Sequence, residues 1–346
     1  MRADTFAACR RLMAGGSKSF AAASRLLPRR VAAPAAGLYA FCRVADDAID
    51  LSPTPADALA ALDALRHRLD ALAAGRPGPE LADRAMAEVV HRFELPRALP
   101  EALLEGFAWD AAGRRYATLA ELHDYGARVA GSVGVMMAVL METRDRATLA
   151  RAGELGLAMQ LTNIARDVGE DARAAPRPRL YLPQAWLAAE GLDADAWLAA
   201  PRFTPELARA VARLLAEADR LYARAECGVA GLPRDCRPGI QAARLVYAEI
   251  GHRLARRHGH DSLSRRTVVP GRRKLVLLAE AAAAALFAPG HPLDLHRAGT
   301  GPLPAVRFLV DAAASDARPA RTFYQRTGRV LEIFERAGER RRQAAW

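Results

Sequence analysis

The sequence is poor in several features that would each indicate a particular class of protein. Only two of its 50 basic residues are lysines, Lys18 and Lys274, and aromatic residues make up 6% of the chain. No basic run is interleaved with aromatic residues, so nucleic acid is not an expected partner despite the net charge of +11. The longest apolar runs are too short to cross a bilayer, and none near the N-terminus is typical of a signal peptide. Peripheral contact with a membrane stays open.

Cysteine is also scarce, and its four positions have no metal-binding or redox spacing. The chain contains no CxxC motif and no histidine at the spacing of a zinc site. We therefore expect a reduced, cytoplasmic protein. Its positive net charge favours anionic partners such as diphosphates or acidic lipids.

Helical patterns run through most of the 346 residues without a linker, which predicts one large all-α domain. Its expected bounds are 1–290, because the composition becomes rich in proline, glycine and arginine from His291 onward. Residues 291–346 are predicted to form a basic extension with a surface helix near 320–342. Within the domain, Pro34 is expected in the first turn of a helix that ends near Asp50. The next helix is predicted to bury the leucines 59, 62, 65, 69 and 72.

Two pairs of aspartates have the spacing of one helical turn. Asp46 and Asp50 end the segment RVADDAID, and Asp167 and Asp171 end QLTNIARDVGED. Residues four apart share a helix face, so the carboxylates of each pair repel one another unless cations compensate them. One such pair is usually a solvated helix face. Here both pairs are embedded in apolar sequence, which favours a site for divalent cations.

Polar side chains precede each pair at helical spacing. Tyr39 and Arg43 lie on the face of the first pair, and Gln160 and Asn163 on the face of the second. Oxygen ligands from few protein groups suit Mg²⁺, and also Mn²⁺, which are shared with substrate phosphates. Each helix is therefore predicted to form one wall of a site.

Six motifs, in their order and spacing, resemble the squalene/phytoene synthase family, and in particular its bacterial phytoene-forming members. They are SKSF (17–20), YAFCRVADDAID (39–50), YGARVAGSVG (125–134), QLTNIARDVGEDAR (160–173), RLYLP (179–183) and VVPGRRKL (268–275). The resemblance covers about residues 10–285. It implies a class I isoprenoid synthase helical bundle with a central active-site cavity. It also implies head-to-head condensation of two geranylgeranyl diphosphates to phytoene through a cyclopropyl diphosphate, the first step of carotenoid synthesis.

The resemblance also assigns roles to individual residues. The implied catalytic residues are Tyr39, Arg43, Asp46, Asp50, Tyr125, Asp167 and Asp171. The implied metal ligands are Asp46, Asp50, Asn163, Asp167 and Asp171. The implied substrate-binding residues are Ser17, Ser19, Phe20, Gln160, Asn163, Arg166, Arg179, Tyr247, Arg266 and Lys274.

Three arginines, Arg173, Arg177 and Arg179, follow the second acid pair, in a link that is longer than is usual in the family. Arg179 directly precedes LYLP and is the one expected to reach the diphosphate. Asp110 faces the site in the family, but an isolated acid on a helix is more often at the surface. It is therefore not included among the site residues.

Other functions stay open at this point. Squalene or dehydrosqualene synthesis from farnesyl diphosphate would use the same metal site, and reduction to squalene would need a nicotinamide cofactor. Phytoene formation needs none, so none is expected. A non-catalytic relative acting in assembly or at a membrane would have no physical need for both acid pairs. For a phytoene-forming enzyme, the implied partners are the isoprenoid diphosphates and a carotenoid desaturase that takes over the product.

Small residues bear on where the isoprenoid chain lies. One helix face combines four of them, which favours either tight helix packing or the floor of a groove; they are Ala127, Gly131, Gly134 and Ala138. Ser24 and Ala36 are predicted to leave room for a C20 chain where bulky residues would stop at C15. The implied reaction ends with the loss of a proton, and the resemblance leaves Tyr39, Tyr125 and a retained diphosphate as the groups that could handle this proton.

Overall fold

The computed structural model describes residues 3–287 and 301–314, which form helices and no strands. The helices are α1 (Ala3–Gly16), α2 (Lys18–Ser24), α3 (Arg29–Asp50), α4 (Pro55–Ala73), α5 (Leu81–Phe93), α6 (Ala98–Ala111), α7 (Leu119–Gly126), a π-helical turn (Ala127–Gly131), α8 (Ser132–Leu140), α9 (Arg146–Ala172), α10 (Gln184–Ala189), α11 (Ala194–Ala199), α12 (Pro205–Val229), α13 (Arg237–His258), α14 (Gly271–Phe287) and α15 (Pro304–Ala313). The predicted all-α fold is confirmed. None of these helices combines the length and the apolarity needed to span a membrane.

Helix α9 is the central element of the bundle. It begins after Asp145, whose side chain accepts a hydrogen bond from the Thr148 amide at 2.9 Å. It packs against α8, α12, α13 and α15, and it buries residues on most of its circumference, as expected for a helix inside a large domain. Its C-terminal half, with Gln160 and Asp167, therefore lies among neighbours that can complete a site.

Two local predictions were wrong. Helix α3 begins at Arg29, so Pro34 lies inside it. The helix continues through Pro34 because the flanking Val31 and Ala35 are buried, and this packing offsets the missing backbone donor. In α4, Leu59 is 52% exposed, whereas the other four leucines are buried. Ala58, one turn before Leu62, takes the buried position instead.

Helix α15 belongs to the same compact unit as helices α1 to α14. It packs on α6, α8 and α9 and buries Val306, Leu309 and Val310 completely. The sequence placed these residues in the extension beyond residue 290. The difference arises because the partner surface of α15 lies on helices far away in the chain. The predicted surface helix near 320–342 lies outside the described residues.

The small-residue face is largely explained by close helix packing. A Cβ added to Gly134 would lie 2.2 Å from the carbonyl oxygen of Ala152, and one added to Gly156 would lie 2.1 Å from that of Ala130. The π-helical turn and α8 therefore approach α9 at backbone contact. The neighbouring Val129, Val133 and Met137 face a cavity.

Candidate active site

The structure contains a polar cleft that joins an apolar cavity. The polar cleft is bordered by both acid pairs, by the arginines and lysines discussed below, and by tyrosines. The apolar cavity runs between α3, α8, α9, α12 and α13. Five polar residues border both spaces: Ser17, Tyr39, Gln160, Asn163 and Tyr247. A molecule with a charged head and a long apolar tail matches this division.

Every residue that the sequence predicted for the site borders one or both spaces. Phe20 borders the apolar cavity, where its ring stacks on that of Tyr39 with centroids 5.8 Å apart. All the others border the polar cleft. Ser17 caps α2 by accepting from the Phe20 amide at 3.2 Å, and its hydroxyl lies 3.4 Å from that of Tyr247. The location of the predicted site residues as a set agrees with the prediction, whereas the role of each residue stays a prediction.

Helix α3 forms the first wall of the polar cleft. Arg43 donates to Asp47 at 3.0 Å and to Asp46 at 3.5 Å. Burial, together with the neighbouring Asp50, raises the pKa of Asp46 to about 7. The negative charges of the first acid pair therefore repel each other, and a bound cation would reduce this repulsion.

Helix α9 forms the second wall. Arg166 donates to Asp167 at 2.6 Å, and Arg266 donates to the same carboxylate at 3.2 Å. Burial, followed by the charge of Asp167, raises the pKa of Asp171 to about 8. The side-chain NH₂ group of Asn163 lies 3.5 Å from the side-chain carbonyl oxygen of Gln160. This wall therefore presents carboxylate and amide oxygens together.

The three arginines after α9 have different positions. The Arg179 guanidinium donates to Asp50 at 2.7 Å, and its backbone N–H donates to the Asp171 carbonyl at 2.8 Å. Arg177 donates to the backbone carbonyl of Ile49, and Arg173 donates to that of Gly169. Of the three, Arg179 borders the polar cleft.

The donor set fits a divalent cation of the magnesium type. Within residues 3–287 and 301–314, no group of three or more acidic, histidine or cysteine side chains is gathered closely enough to hold a metal by itself. The carboxylates instead form two pairs on two walls, and both pairs carry a carboxyl group with a raised pKa. Such a set suits an ion that takes few protein oxygens and completes its coordination with water and phosphate. The residues that would hold it are Asp46, Asp50, Asn163, Asp167 and Asp171.

Both lysines of the chain border the polar cleft. Burial, together with the charge of Lys18, lowers the pKa of Lys274. Of the two, only Lys274 is among the residues that the sequence predicts for the site. The scarcity of lysine elsewhere in the chain was the signal that pointed to Lys18.

Two further residues of the polar cleft were missed. Asp110 is 9% exposed, and its carboxylate accepts hydrogen bonds from the hydroxyls of Tyr125 and Tyr181, each at 2.8 Å. Of the two positions considered for Asp110, at the surface or facing the site, the structure shows the second, because α6 places its side chain against Tyr125 and Tyr181. In the sequence, the largely apolar segment ALLEGFAWDAAG (102–113) around Asp110 is the feature that indicates burial. Tyr181 lies within the RLYLP motif, in which Arg179 is the predicted site residue.

The apolar cavity has the proportions of a long chain. Its lining along α9 runs from Thr148 to Asn163, a span of about 22 Å at the rise of an α-helix. The structure does not place Ser24 or Ala36 on its wall. Ser24 borders a separate groove beside α1, and Ala36 is fully buried in a cluster that includes Cys9 and Met13. The small side chains predicted to admit the tail therefore lie elsewhere.

Comparisons with known proteins identify the family. The family model for squalene/phytoene synthase matches residues 13–273. The chain is 54% identical over 323 residues to the phytoene synthase of Cereibacter sphaeroides, which covers 91% of this chain and 89% of that protein. It is 43% identical over 273 residues to the 15-cis-phytoene synthase of Paracoccus sp., which covers 76% and 86%. A solved dehydrosqualene synthase in complex with ligand has 32% identity and a TM-score of 0.71, covering 81% of this chain and 96% of that one. The chain belongs to the squalene/phytoene synthase family.

Proposed function

We propose that the protein condenses two molecules of geranylgeranyl diphosphate head-to-head to phytoene, through a cyclopropyl diphosphate, as the first step of carotenoid synthesis. The observation that carries this proposal is the junction of the polar cleft with the apolar cavity at Tyr39, Gln160, Asn163 and Tyr247. An allylic diphosphate is divided in the same way, into an anionic head and an apolar tail. The relatives at 54% and 43% identity, both named phytoene synthases, support this product.

The residues of the polar cleft bind the diphosphate and stabilise it as it leaves. Arg166, Arg179 and Arg266 offer guanidinium groups that form charge-assisted hydrogen bonds with phosphate oxygens. Fixed positive charge at a leaving group is usually the largest contribution to catalysis of such a step. Mg²⁺, when held by the acid pairs and Asn163, adds Lewis-acid stabilisation of the same leaving group.

Aromatic rings and apolar walls protect the carbocation that remains. Tyr39 stands where the two spaces meet, and its ring face can stabilise a cation without bonding to it. Burial raises the pKa of Tyr39 to about 12, so the side chain stays a neutral phenol. The apolar lining excludes water, which would otherwise capture the cation as an alcohol. The departed diphosphate is the anionic acceptor of the final proton. Tyr39 and Tyr125 are neutral phenols and can only relay this proton by giving up their own hydroxyl proton at the same time.

A second candidate is synthesis of dehydrosqualene or squalene from the C15 diphosphate. It is favoured by the likeness to a solved dehydrosqualene synthase at 32% identity. The same cleft and cavity would serve it, since these reactions differ from phytoene formation in tail length and, for squalene alone, in a final reduction. The higher identity to phytoene synthases favours the C20 substrate.

Product identification tests the proposal. Purified protein is incubated with Mg²⁺ and either the C15 or the C20 diphosphate, with and without NADPH, and the hydrocarbons are identified by mass spectrometry. We expect phytoene from the C20 substrate, no effect of NADPH and no product in excess EDTA. Dehydrosqualene or squalene as the main product would establish the second candidate, and undiminished activity in EDTA would contradict the metal assignment.

The protein is further proposed to be cytoplasmic and to work against a membrane surface, where an apolar C40 product can dissolve and reach a desaturase. Large apolar side chains are exposed beside the cleft: Val268 is 61%, Leu275 68% and Val276 48% exposed. Val268 itself borders the polar cleft. Arg265 and Arg272 are exposed nearby and favour anionic lipid headgroups.

A further inference from the structure

Asp110 is a buried acid of the polar cleft that lies outside both acid pairs. Its Oδ2 accepts a hydrogen bond from the Tyr125 hydroxyl, and its Oδ1 accepts one from the Tyr181 hydroxyl, each at 2.8 Å. The three side chains come from α6, α7 and the loop after α9, and all three border the polar cleft. Both carboxylate oxygens are therefore occupied by phenol hydroxyls.

Packing holds the two rings in place from the other side. Tyr125 and Tyr181 stack with centroids 5.2 Å apart and an interplanar angle of 19°. Tyr116, which is fully buried, lies 5.1 Å from Tyr125 and 6.3 Å from Tyr181. Each ring thus has one fixed position, set by an aromatic neighbour and by the carboxylate.

This arrangement matters for a reaction that passes through carbocations. An uncapped carboxylate or a free phenol oxygen beside a carbocation can donate an electron pair and form an ester or an ether. An ordered water can do the same and then lose a proton, which gives an alcohol. Two accepted hydrogen bonds lower the nucleophilicity of the Asp110 carboxylate, and they hold both phenol oxygens against it, so that the site keeps negative potential and ring faces.

We propose that Asp110 is a positioning residue of the condensation, which holds the Tyr125 and Tyr181 hydroxyls so that ring faces rather than nucleophilic oxygens meet the carbocations. The inference rests on the proposed function, and it adds a role for Asp110 and Tyr181. It applies to both ionisations, that of the allylic diphosphate and that of the cyclopropyl diphosphate.

The test is the distribution of products from Asp110→Asn. We expect kcat to fall about 100-fold, the loss typical of one misplaced electrostatic group, while KM changes less than about 3-fold. The fraction of ionised substrate that ends as prenyl or cyclopropyl alcohols should rise severalfold, because released hydroxyls and water can reach the cation. Tyr181→Phe removes one donor, keeps the ring and should shift the products in the same direction, so it serves if Asp110→Asn does not fold.

Asp83→Asn is the matched control. Asp83 is also a buried aspartate, 2% exposed, but it lies on α5 and pairs with Arg68. This variant should lower the melting temperature without changing the product distribution. If Asp110→Asn and Tyr181→Phe lower activity and stability with wild-type products, Asp110 has only a structural role and the proposal is overturned.

The result of the Asp110 test can be distinguished from the result of the test of the proposed function. If wild-type protein uses the C15 diphosphate, the assignment of the C20 substrate fails, and the Asp110 comparison is made on C15 products. If it yields alcohols and no hydrocarbon, the condensation fails, and a rise in alcohol yield per diphosphate released still supports positioning. Absence of any diphosphate release would overturn both.

Discussion

The Arg179 guanidinium lies 2.7 Å from the Asp50 carboxylate, while its backbone N–H donates to the carbonyl of Asp171 at 2.8 Å. One residue therefore connects the ends of the two helices that carry the acid pairs. The Arg179 side chain is 16% exposed, so its charge is largely shielded from bulk solvent and is felt strongly inside the polar cleft. This contact places the positively charged guanidinium group of Arg179 where the two walls of the polar cleft meet.

Replacing Arg179 with lysine should impair diphosphate binding. A lysine offers one point charge instead of a planar fork of donors, and it cannot pair with Asp50 and a phosphate in the same geometry. We expect KM to rise about 10-fold or more, with a lower kcat. Arg177→Lys is the control from the same loop, because Arg177 donates to a backbone carbonyl. Equal effects of both variants would remove the special role of Arg179.

Replacing one acid of each pair should abolish turnover and preserve the fold. Asp46→Asn and Asp167→Asn each remove one of two neighbouring like charges at partly exposed positions, so helix content should stay near wild type. Asp167→Asn also removes the carboxylate that Arg166 and Arg266 contact, so its melting temperature should fall slightly. Mg²⁺ should raise the melting temperature of the wild type and have little effect on a variant that carries both Asp46→Asn and Asp167→Asn, since a bound ion stabilises the state that binds it. Asp63→Asn, at an exposed position, is the control. Unfolding of the acid variants would reassign these aspartates to a structural role.

The two lysines permit a chemical test of the polar cleft. The lowered pKa of Lys274, caused by burial and by Lys18, leaves more of its amine unprotonated, so it should be acetylated faster than a free lysine at pH 8. We expect acetylation to abolish activity and diphosphate with Mg²⁺ to protect both lysines, as measured by peptide mass spectrometry. The chain has no other lysine to complicate the reading. Acetylation that proceeds equally with and without diphosphate would place the phosphates elsewhere.

The preference of the enzyme for C20 over C15 substrates should depend on the space in the apolar cavity. Ala152 borders its distal part, and a ring added there by Ala152→Phe should cost the longer substrate about 1 to 3 kcal/mol. The ratio of kcat/KM for C20 over C15 should fall roughly 10-fold to 100-fold. Ser24→Phe should leave this ratio unchanged, because Ser24 borders the separate groove. The reverse result would place the tails between α2 and α3, as the sequence predicted.

Vesicle binding should depend on the exposed apolar residues of α14. The double change Leu275→Asn and Val276→Asn should reduce co-sedimentation with vesicles containing phosphatidylglycerol several-fold, with activity in detergent retained. Leu59→Asn is the control, since Leu59 is exposed on α4. Equal binding of wild type and the double variant would assign this face another occupant, such as the chain's own C-terminal segment or a partner protein.

Much of this site followed from local periodicity. The spacing of Asp46 and Asp50, and of Asp167 and Asp171, determines that each pair shares a helix face, because the helical repeat is set by backbone geometry within one turn. The cap at Ser17 is equally local, because its side chain accepts a hydrogen bond from an amide three residues along the chain. The sequence thus sufficed to place the two walls and their chemistry.

Only the tertiary structure decided what lies between and beneath those walls. Asp110 lies 15 residues before Tyr125 and 71 before Tyr181 in the chain, and no local spacing indicates that the three meet. Ser24 and Ala36 were placed at the tail because small residues leave space, but which side of a helix faces a cavity depends on its neighbours. Burial of an isolated acid and the direction of a small side chain are properties of packing between distant segments, which residue spacing along one helix does not encode.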